Sequence, residues 1–317
     1  MPDAPQHLLP TPRRRRAVLV SLTVLALAAL AAAYAWEGAD RDPEAVSSRA
    51  GTPSSSSSDT TAEPATSTTR GPLGSGEAIT IAFAGDSYFE GVLRNRLDAD
   101  PTTAVGPFAD LLRSADLAVI NLETAIAVGG TRADKQFAFR APPSALDALR
   151  AAGVDAASMA NNHGLDYGTD GLAETLAVKR GQPQGFLIGI GGDEDEAYAP
   201  FSTEVRGQRI AVIAATQVLD SNLISAWTAT ADQGGLASAK RVDRLVQEVE
   251  AARVDHDTVV VFLHWGIEKM TCPTGEQQAL AGALVDAGAD IVVGGHAHRL
   301  QGGGRLGDAV VHYGLGN

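Results

Sequence analysis

Short apolar runs alternate with segments of helical periodicity from residue 77 onward. The runs that predict strands cover residues 78–84, 117–121, 154–159, 186–190, 258–263, 290–294 and 309–313. Helices are predicted at 106–114, 143–152, 170–179, 238–252 and 275–287. Phe201–Val205 and Arg209–Ala215 flank a short polar turn, which predicts a hairpin. Together these elements predict an α/β fold, a layered α/β/β/α sandwich of two sheets with helices outside.

The end of the sequence follows the last predicted strand closely. Only Gly314-Leu315-Gly316-Asn317 come after residues 309–313. A chain that stops at a strand-to-loop transition predicts a sandwich that lacks its C-terminal end.

The first 76 residues have a different composition. Arg13 to Arg16 precede residues 17–36, which carry no charge. About 20 apolar residues can span a bilayer, and flanking arginines favour the cytoplasmic side. We therefore predict a cytoplasmic tail at 1–16 and a transmembrane signal-anchor at 17–36. The alternative is a signal peptide cleaved near Ala33-Tyr34-Ala35.

Residues 37–76 are rich in Ser, Thr and Pro and contain no apolar face. This composition predicts a disordered linker. The folded domain is then expected at 77–317, at the cell membrane and outside the cytoplasm.

Charge and cysteine content narrow the functional classes. The chain has a net charge of −13. Residues 1–16 hold four arginines and one aspartate, so the remaining chain carries −16. This acidic balance argues against nucleic-acid binding, which relies on a basic surface. The single cysteine, Cys272, allows no internal disulfide, so the core alone must stabilise the domain.

Polar side chains follow five of the predicted strands. They are Asp86, Glu123, the group Asn162, His163 and Asp166, then His264, and finally His296 with His298. In open α/β sheets, ligands bind beyond the carboxyl ends of the strands. Neutral imidazole suits Zn, Mn, Fe or Ni, and carboxylates favour hard or borderline divalent ions. The pattern predicts one metal centre at this edge.

The same residues lie in motifs that occur together in a known family. The motifs are Gly85-Asp86, Asn121-Leu122-Glu123, Asn161-Asn162-His163 with Asp166, His264-Trp265-Gly266 with Glu268, and Gly295-His296-Ala297-His298 with Gln301. In this order they resemble the CapA (PGA_cap) poly-γ-glutamate capsule-synthesis proteins of the calcineurin-like metallophosphoesterase superfamily. The resemblance covers about residues 79–317.

The resemblance implies a centre for one or two divalent ions, with Mn, Zn or Fe as candidates. Glu123 would be the carboxylate that bridges two ions. Asn162, His264 and His296 would complete one ion site, whereas Asp86 and His298 would serve the other.

The resemblance also implies residues that act on the substrate. His163 would serve as a general acid or stabilise developing charge, and Asp166 would orient its ring. From the residues alone, Arg140 is either a clamp for an anionic group or a loop arginine with no specific role, and Glu268 is either a carboxylate at the edge of the site or a solvated one. Arg140 and Glu268 are therefore the candidate substrate-binding residues.

Two positions depart from the superfamily pattern. Phosphoesterases of the superfamily have Asp-x-His at the first motif, whereas this chain has Asp86-Ser87-Tyr88. Glu123 replaces the usual bridging Asp. Both changes occur in the CapA branch, and they predict a weaker ion site at Asp86 and His298 and weaker phosphoesterase activity.

Three functions follow as expectations. The first is a membrane-anchored, extracytoplasmic protein that acts with its metal centre in synthesis, export or processing of an anionic capsular polymer such as poly-γ-glutamate. The second is a non-catalytic scaffold within a membrane capsule synthase complex. The third is an exported metal-dependent phosphoesterase with a phosphate-bearing substrate.

Overall fold

The computed structural model describes residues 73–317. Within this range, no helix is both long enough and apolar enough to cross a membrane. The predicted tail at 1–16, the predicted anchor at 17–36 and the linker up to residue 72 lie outside the described residues.

The described residues form strands and helices in alternation. In chain order the strands are β1 (Ile81–Ser87), β2 (Leu117–Leu122), β3 (Ala125–Ile126), β4 (Arg140–Ala141), β5 (Ala156–Ser158), β6 (Leu187–Ile188), β7 (Ile190–Gly191), β8 (Phe201–Val205), β9 (Gln208–Thr216), β10 (Gly235–Leu236), β11 (Thr258–His264), β12 (Ile291–Gly295), β13 (Gly303–Leu306) and β14 (Ala309–His312). The α-helices are α1 (Gly91–Ala99), α2 (Phe108–Ser114), α3 (Ser144–Ala151), α4 (Gly168–Arg180), α5 (Glu194–Tyr198), α6 (Ile224–Trp227), α7 (Val242–Asp255) and α8 (Gly275–Asp286).

The larger strands form two sheets. The first has the order β1-β2-β5-β6, and all its neighbours are parallel. The second has the order β13-β14-β12-β11-β9-β8, in which the central strands β14, β12, β11 and β9 are parallel. Only its two edge pairs, β13 with β14 and β8 with β9, are antiparallel. Parallel sheets need both faces covered, which predicts a layered arrangement.

Alternate side chains of each central strand lie in different hydrophobic cores, and there are three such cores among the described residues. Val119 of β2 shares a buried core with Val212 of β9 and Phe262 of β11, so this core lies between the two sheets. The neighbouring Ile120 belongs to a second core with residues of α1 to α4. Val261 belongs to a third core with residues of α7 and α8. Since alternate residues of a strand point to opposite faces, the layers are helix, sheet, sheet and helix. The predicted α/β/β/α fold is confirmed.

The structure divides one predicted strand. Residues 186–190 form β6 in the first sheet and then β7, which pairs with β10 instead. Gly189 separates them with a φ of +81°, and a Cβ there would lie 2.5 Å from Ala160 Cβ. A positive φ and a close approach both favour glycine, so the break follows from this residue.

Other boundaries differ at the ends of elements. The helix predicted at 238–252 begins only at Val242, because Ser238 forms a bridge with Thr216. Helix α1 was not predicted, since Leu97 is its one buried residue and leaves little apolar periodicity. Strand β13 was missed because all four of its residues are exposed.

We predict that Gly294→Ala destabilises the domain. A Cβ at Gly294 would lie 2.0 Å from Trp265 Nε1 and 2.4 Å from the Tyr313 carbonyl oxygen. The Trp265 indole donates to that same oxygen at 2.8 Å, so the added methyl would separate this pair. Overpacking of a filled core costs about 1–3 kcal/mol of unfolding free energy. Urea denaturation of the purified chain measures this loss.

The matched control is Gly282→Ala in α8. A Cβ there meets no atom within 4 Å, and alanine favours helix over glycine by up to about 1 kcal/mol. The control variant should equal or exceed the wild type in stability. Equal unfolding free energies for the Gly294 variant and the wild type would show that the packing around Trp265 is loose.

Candidate metal centre

The carboxyl ends of strands from both sheets carry the candidate ligands. In the second sheet, His264 ends β11 and lies beside Gly295, the last residue of β12. In the first sheet, Asp86 lies beside Asn121, and Glu123 directly follows β2. Parallel register therefore brings the residues of each sheet to one edge, as the crevice rule for α/β sheets expects.

A β-bulge sets the position of Asp86. The register of β1 against β2 shifts between Ala84 and Asp86. Bulges bend a strand and redirect a side chain. Asp86 is buried, and its Oδ1 accepts a hydrogen bond from Asn121 Nδ2 at 2.8 Å. The bulge and this amide fix the carboxylate toward the second sheet, where the His296 amide donates to its Oδ2 at 2.9 Å.

Glu123, His264 and His296 form a first cluster. One ligand atom from each lies within 4.8 Å of the others, and all three residues are buried. His264 Nε2 lies 3.3 Å from Glu123 Oε1 and 2.7 Å from Asn162 Oδ1. The four residues that the resemblance assigns to one ion are therefore brought together.

Asp86, Glu123 and His298 form a second cluster within the same 4.8 Å limit. His298 Nδ1 lies 3.1 Å from Asp86 Oδ2. Glu123 belongs to both clusters, so its carboxylate is placed where two ions could share it. Buried His, Asp and Glu groups thus offer donors for one or two divalent ions.

Two orphaned atoms test whether an ion fits the first cluster. Among the hydrogen bonds of residues 73–317, none reaches Glu123 Oε1 or His296 Nδ1, although both atoms are buried. Buried polar atoms are nearly always paired, because leaving them unpaired costs free energy. A divalent ion would take up both lone pairs, and imidazole with carboxylate suits Zn, Mn or Fe. The donor set therefore fits such an ion without selecting among the three.

Burial keeps the two imidazoles of this cluster neutral. It lowers the pKa of His264 to about 4 and the pKa of His296 to about 3. Burial and the nearby charge of Asp86 raise the pKa of Glu123 to about 8. Near pH 7 the cluster consequently holds two neutral imidazoles and a carboxyl group that retains a proton.

The second cluster contains an internal ion pair. The hydrogen bond to Asp86 is the main cause that raises the pKa of His298 to about 9. Burial opposes ionisation of Asp86, but this hydrogen bond and others more than offset it and lower the pKa of that carboxyl. An ion at the second cluster must displace the His298 proton. Tyr88, the last residue of the Asp86-Ser87-Tyr88 motif, stacks on Phe139 with ring centroids 4.8 Å apart.

The loop after β12 has an unusual backbone. His296 has a φ of +85° and His298 a φ of +49°, in the left-handed region that non-glycine residues rarely adopt. The backbone amide of Lys269 donates a hydrogen bond of 2.7 Å to the carbonyl of Ala297. Since Ala297 lies between the two histidines, this bond holds their loop in place. Such conformations cluster at functional sites, where the surrounding structure enforces them.

His163 and Asp166 form a pair beside the two clusters. His163 Nδ1 lies 2.6 Å from Asp166 Oδ2, and the Phe139 amide donates to the same oxygen at 2.6 Å. The ring of Phe139 packs against His163 with centroids 4.3 Å apart. Asn161 Oδ1 accepts from the His163 amide at 3.0 Å. The imidazole is therefore held at Nδ1 and on one face, and Nε2 remains for other chemistry.

The two candidate substrate-binding residues lie farther out. Arg140 donates to the Gly129 carbonyl at 2.9 Å, and its guanidinium lies 4.3 Å from the centre of the Tyr167 ring. Glu268 is exposed. Within the part of the chain that the structure describes, no hydrogen bond or ion pair joins either residue to the clusters. Their roles in substrate binding remain predictions.

Sequence reasoning assigned no role to two residues of the site. Asn121 contacts both Asp86 and His264, the latter at 3.2 Å between Nδ2 and Nδ1. Its position directly before Leu122-Glu123 was a signal that could have identified it. Lys135 lies in a loop without periodicity, and its contact with Asp166 at 3.0 Å had no signal in the sequence.

Comparison with known proteins identifies a family to which this chain is similar. The family described as "Bacterial capsule synthesis protein PGA_cap" matches residues 80–317. "Capsule biosynthesis protein CapA" of Bacillus anthracis is 33% identical over 190 residues, which are 59% of this chain and 45% of that protein. "PGA biosynthesis protein CapA" of Bacillus subtilis is 27% identical over 247 residues, which are 77% of this chain and 63% of that protein. The chain thus spans about half the length of the curated relatives it matches.

Solved structures of other proteins are similar at lower identity. A hypothetical protein from Thermus thermophilus is 22% identical with a TM-score of 0.47, over 75% of this chain and 76% of that one. A phosphatase from Mycoplasma pneumoniae is 17% identical with a TM-score of 0.46, over 76% of this chain and 72% of that one.

We predict that metal affinity rises with pH. A bound ion requires Glu123 without its proton, and the raised pKa of about 8 means that binding near pH 7 releases that proton. Affinity at the first cluster should increase about tenfold per pH unit up to pH 8 and then level off. Binding at the second cluster should increase up to about pH 9, because His298 must also lose a proton.

Calorimetric titration with Mn²⁺ in buffers of different ionisation enthalpy measures both the affinity and the protons released. The low pKa values of His264 and His296 mean that neither competes for protons at neutral pH. An affinity that stays flat between about pH 6 and 8 would contradict a protonated Glu123 in the metal-free protein.

Proposed function

Because the chain belongs to the PGA_cap family of bacterial capsule synthesis proteins, we propose that it acts in the synthesis, export or processing of an anionic capsular polymer such as poly-γ-glutamate. The names of two relatives, for capsule and PGA biosynthesis, support this choice of polymer. The observation that carries a chemical role is the pair of buried clusters that share Glu123 beside His163 and Asp166. We propose metal-dependent hydrolysis of the polymer or of a phosphate-bearing precursor.

The residues of this chain would divide the work as follows. Bound divalent ions would supply Lewis-acid stabilisation of the negative charge that develops on the substrate. His163 would hold a proton at Nε2 and donate it to the leaving group. Asp166, which is fully buried, would accept from Nδ1 and keep the ring in the required tautomer and orientation. Phe139 would exclude water from one face of the imidazole.

The proposed location is the outer side of the cell membrane. The uncharged run at 17–36 after Arg13 to Arg16 supports a membrane anchor, and the composition of 37–76 supports a linker. The domain would then meet a polymer as it leaves a membrane synthase complex.

A non-catalytic role is the second candidate. The domain would then recognise polymer ends as a scaffold of the synthase complex. Tyr88 at the place of a ligand histidine and the ion pair between Asp86 and His298 favour this alternative, since both weaken the second ion position. An exported phosphoesterase is a third outcome, which hydrolysis of simple phosphate esters alone would identify.

We predict that His163→Ala strongly slows hydrolysis and leaves the bound metal in place. General acid catalysis contributes about 10²–10⁴-fold in rate, so turnover should fall by that factor. Among residues 73–317, no hydrogen bond or ion pair joins the His163 ring to Glu123, His264 or His296, and metal content should therefore stay at the wild-type value. The assay uses the full chain with Mn²⁺, Zn²⁺ or Fe²⁺ on poly-γ-glutamate and on a bis-aryl phosphate ester.

His256→Ala is the matched control. His256 lies at the edge of the second sheet, where Nε2 contacts Ser202 Oγ at 3.0 Å, and its loss should leave turnover unchanged. Turnover that tracks metal occupancy excludes the scaffold. A wild type that holds its metal but hydrolyses neither substrate would favour the scaffold, and a wild type that binds no ion would refute the proposed metal chemistry.

A further inference from the structure

Lys135 is a buried cation in the loop between β3 and β4. Its side chain is only 8% exposed. Lysine is almost never buried without partners, because removing its charge from water is costly. Three oxygen atoms surround its ammonium group, which donates one hydrogen bond and forms two ion pairs. These oxygen atoms belong to Asn162, Asp166 and Asp220.

Two of these partners belong to the functional centre. The Nζ atom of Lys135 donates to the backbone carbonyl of Asn162, whose side chain contacts His264 Nε2 at 2.7 Å. It also lies 3.0 Å from Asp166 Oδ1, whereas Oδ2 of the same carboxylate contacts His163. Lys135 is therefore one residue away from the first cluster on one side and one residue away from His163 on the other.

The third partner faces outward. Asp220 Oδ2 lies 3.4 Å from Nζ, and the Asp220 side chain is 43% exposed. The ring of Trp227 lies 5.3 Å from Nζ and closes another side. An ammonium group near an aromatic face gains a further attraction. These contacts restrict the side chain of Lys135 to one conformation. Lys135 therefore holds Asn162 and Asp166 at a fixed distance from each other.

A second lysine, Lys179, also has a carbonyl and a carboxylate as partners, and it serves as a comparison for Lys135. Lys179 in α4 donates to the Ile190 carbonyl at 2.6 Å and lies 3.0 Å from Glu196 Oε1. Its side chain is 16% exposed. It also joins a carbonyl and a carboxylate, but neither partner touches the two clusters. Lys135 differs from Lys179 in what its partners contact.

We propose that Lys135 is a positioning residue that couples the first metal cluster to the His163–Asp166 pair. Its ammonium group fixes the backbone of Asn162, and thereby Asn162 Oδ1, while it fixes the Asp166 carboxylate that orients His163. This inference rests on the proposed metal-dependent function, because it concerns the residues of that centre.

The test compares Lys135→Met with Lys179→Met in the full chain. Both changes remove a buried charge and keep a side chain of similar length. Loss of an outer partner of a metal ligand costs about 10–100-fold in metal affinity. We expect that loss of Mn²⁺ affinity by calorimetry for Lys135→Met and none for Lys179→Met.

A second readout needs no metal. In the metal-free protein labelled with ¹⁵N-histidine, the ring nitrogen shifts of His163 report its tautomer and its bond to Asp166. We assign the signal by its loss in His163→Ala. The shifts should change in Lys135→Met and stay unchanged in Lys179→Met. Wild-type affinity together with unchanged shifts in Lys135→Met would overturn the proposal.

Lys135→Met leaves Asp166 with an unpaired buried charge and could prevent folding. A double variant tests the proposal in that case. Lys135→Met/Asp166→Asn removes both charges. It should fold and still bind Mn²⁺ weakly, whereas Asp166→Asn alone should bind nearly as the wild type because Lys135 still holds Asn162. Equal affinity of the two variants would refute the coupling. A wild type that binds none of Mn²⁺, Zn²⁺ and Fe²⁺ refutes the proposed metal chemistry, while the ¹⁵N shifts still decide the role of Lys135.

Discussion

Burial of carboxyl and imidazole groups at one place is the constraint on which this domain depends. Glu123 and His264 are each 1% exposed, and each would be far better solvated in water. The fold can bury these groups because protonation or an ion pair removes most of their charge. Glu123 retains a proton, His264 stays neutral, and the charge of Asp86 is met by His298. The centre is close to neutral before any ion binds.

This constraint explains why the site lies where the two sheets meet. A single sheet edge could bury Asp86 and Glu123, but their like charges would repel. The second sheet brings His264 and His296 against them, and the Asn121 amide bonds to Asp86 while contacting His264. The sandwich therefore provides neutral donors from one layer for the carboxylates of the other. Side chains of both layers are needed for a cluster that can exchange protons for an ion.

Much of this arrangement could be predicted from the sequence, for identifiable reasons. Strands β1, β2, β11 and β12 have strong apolar patterns, and a polar residue follows or ends each one, so their fold and their common edge were predictable. The position of Lys135 beside Asp166 was not predictable, because Lys135 lies in a loop without periodicity. The break between β6 and β7 was not predictable either, because Gly189 redirects the chain through a close approach to Ala160 that no local pattern reports.

The charges also imply that the two clusters are unequal. An ion at Glu123, His264 and His296 displaces the single proton of Glu123 and meets two imidazoles that are already neutral. An ion beside Asp86 must in addition break the bond between Asp86 and His298, whose pKa lies near 9. It would also approach the charge of the first ion. Occupancy should therefore proceed in order, with the first cluster filled before the second. Because Tyr88 supplies no imidazole to offset that cost, a centre with one ion is the state that the donor set favours at neutral pH.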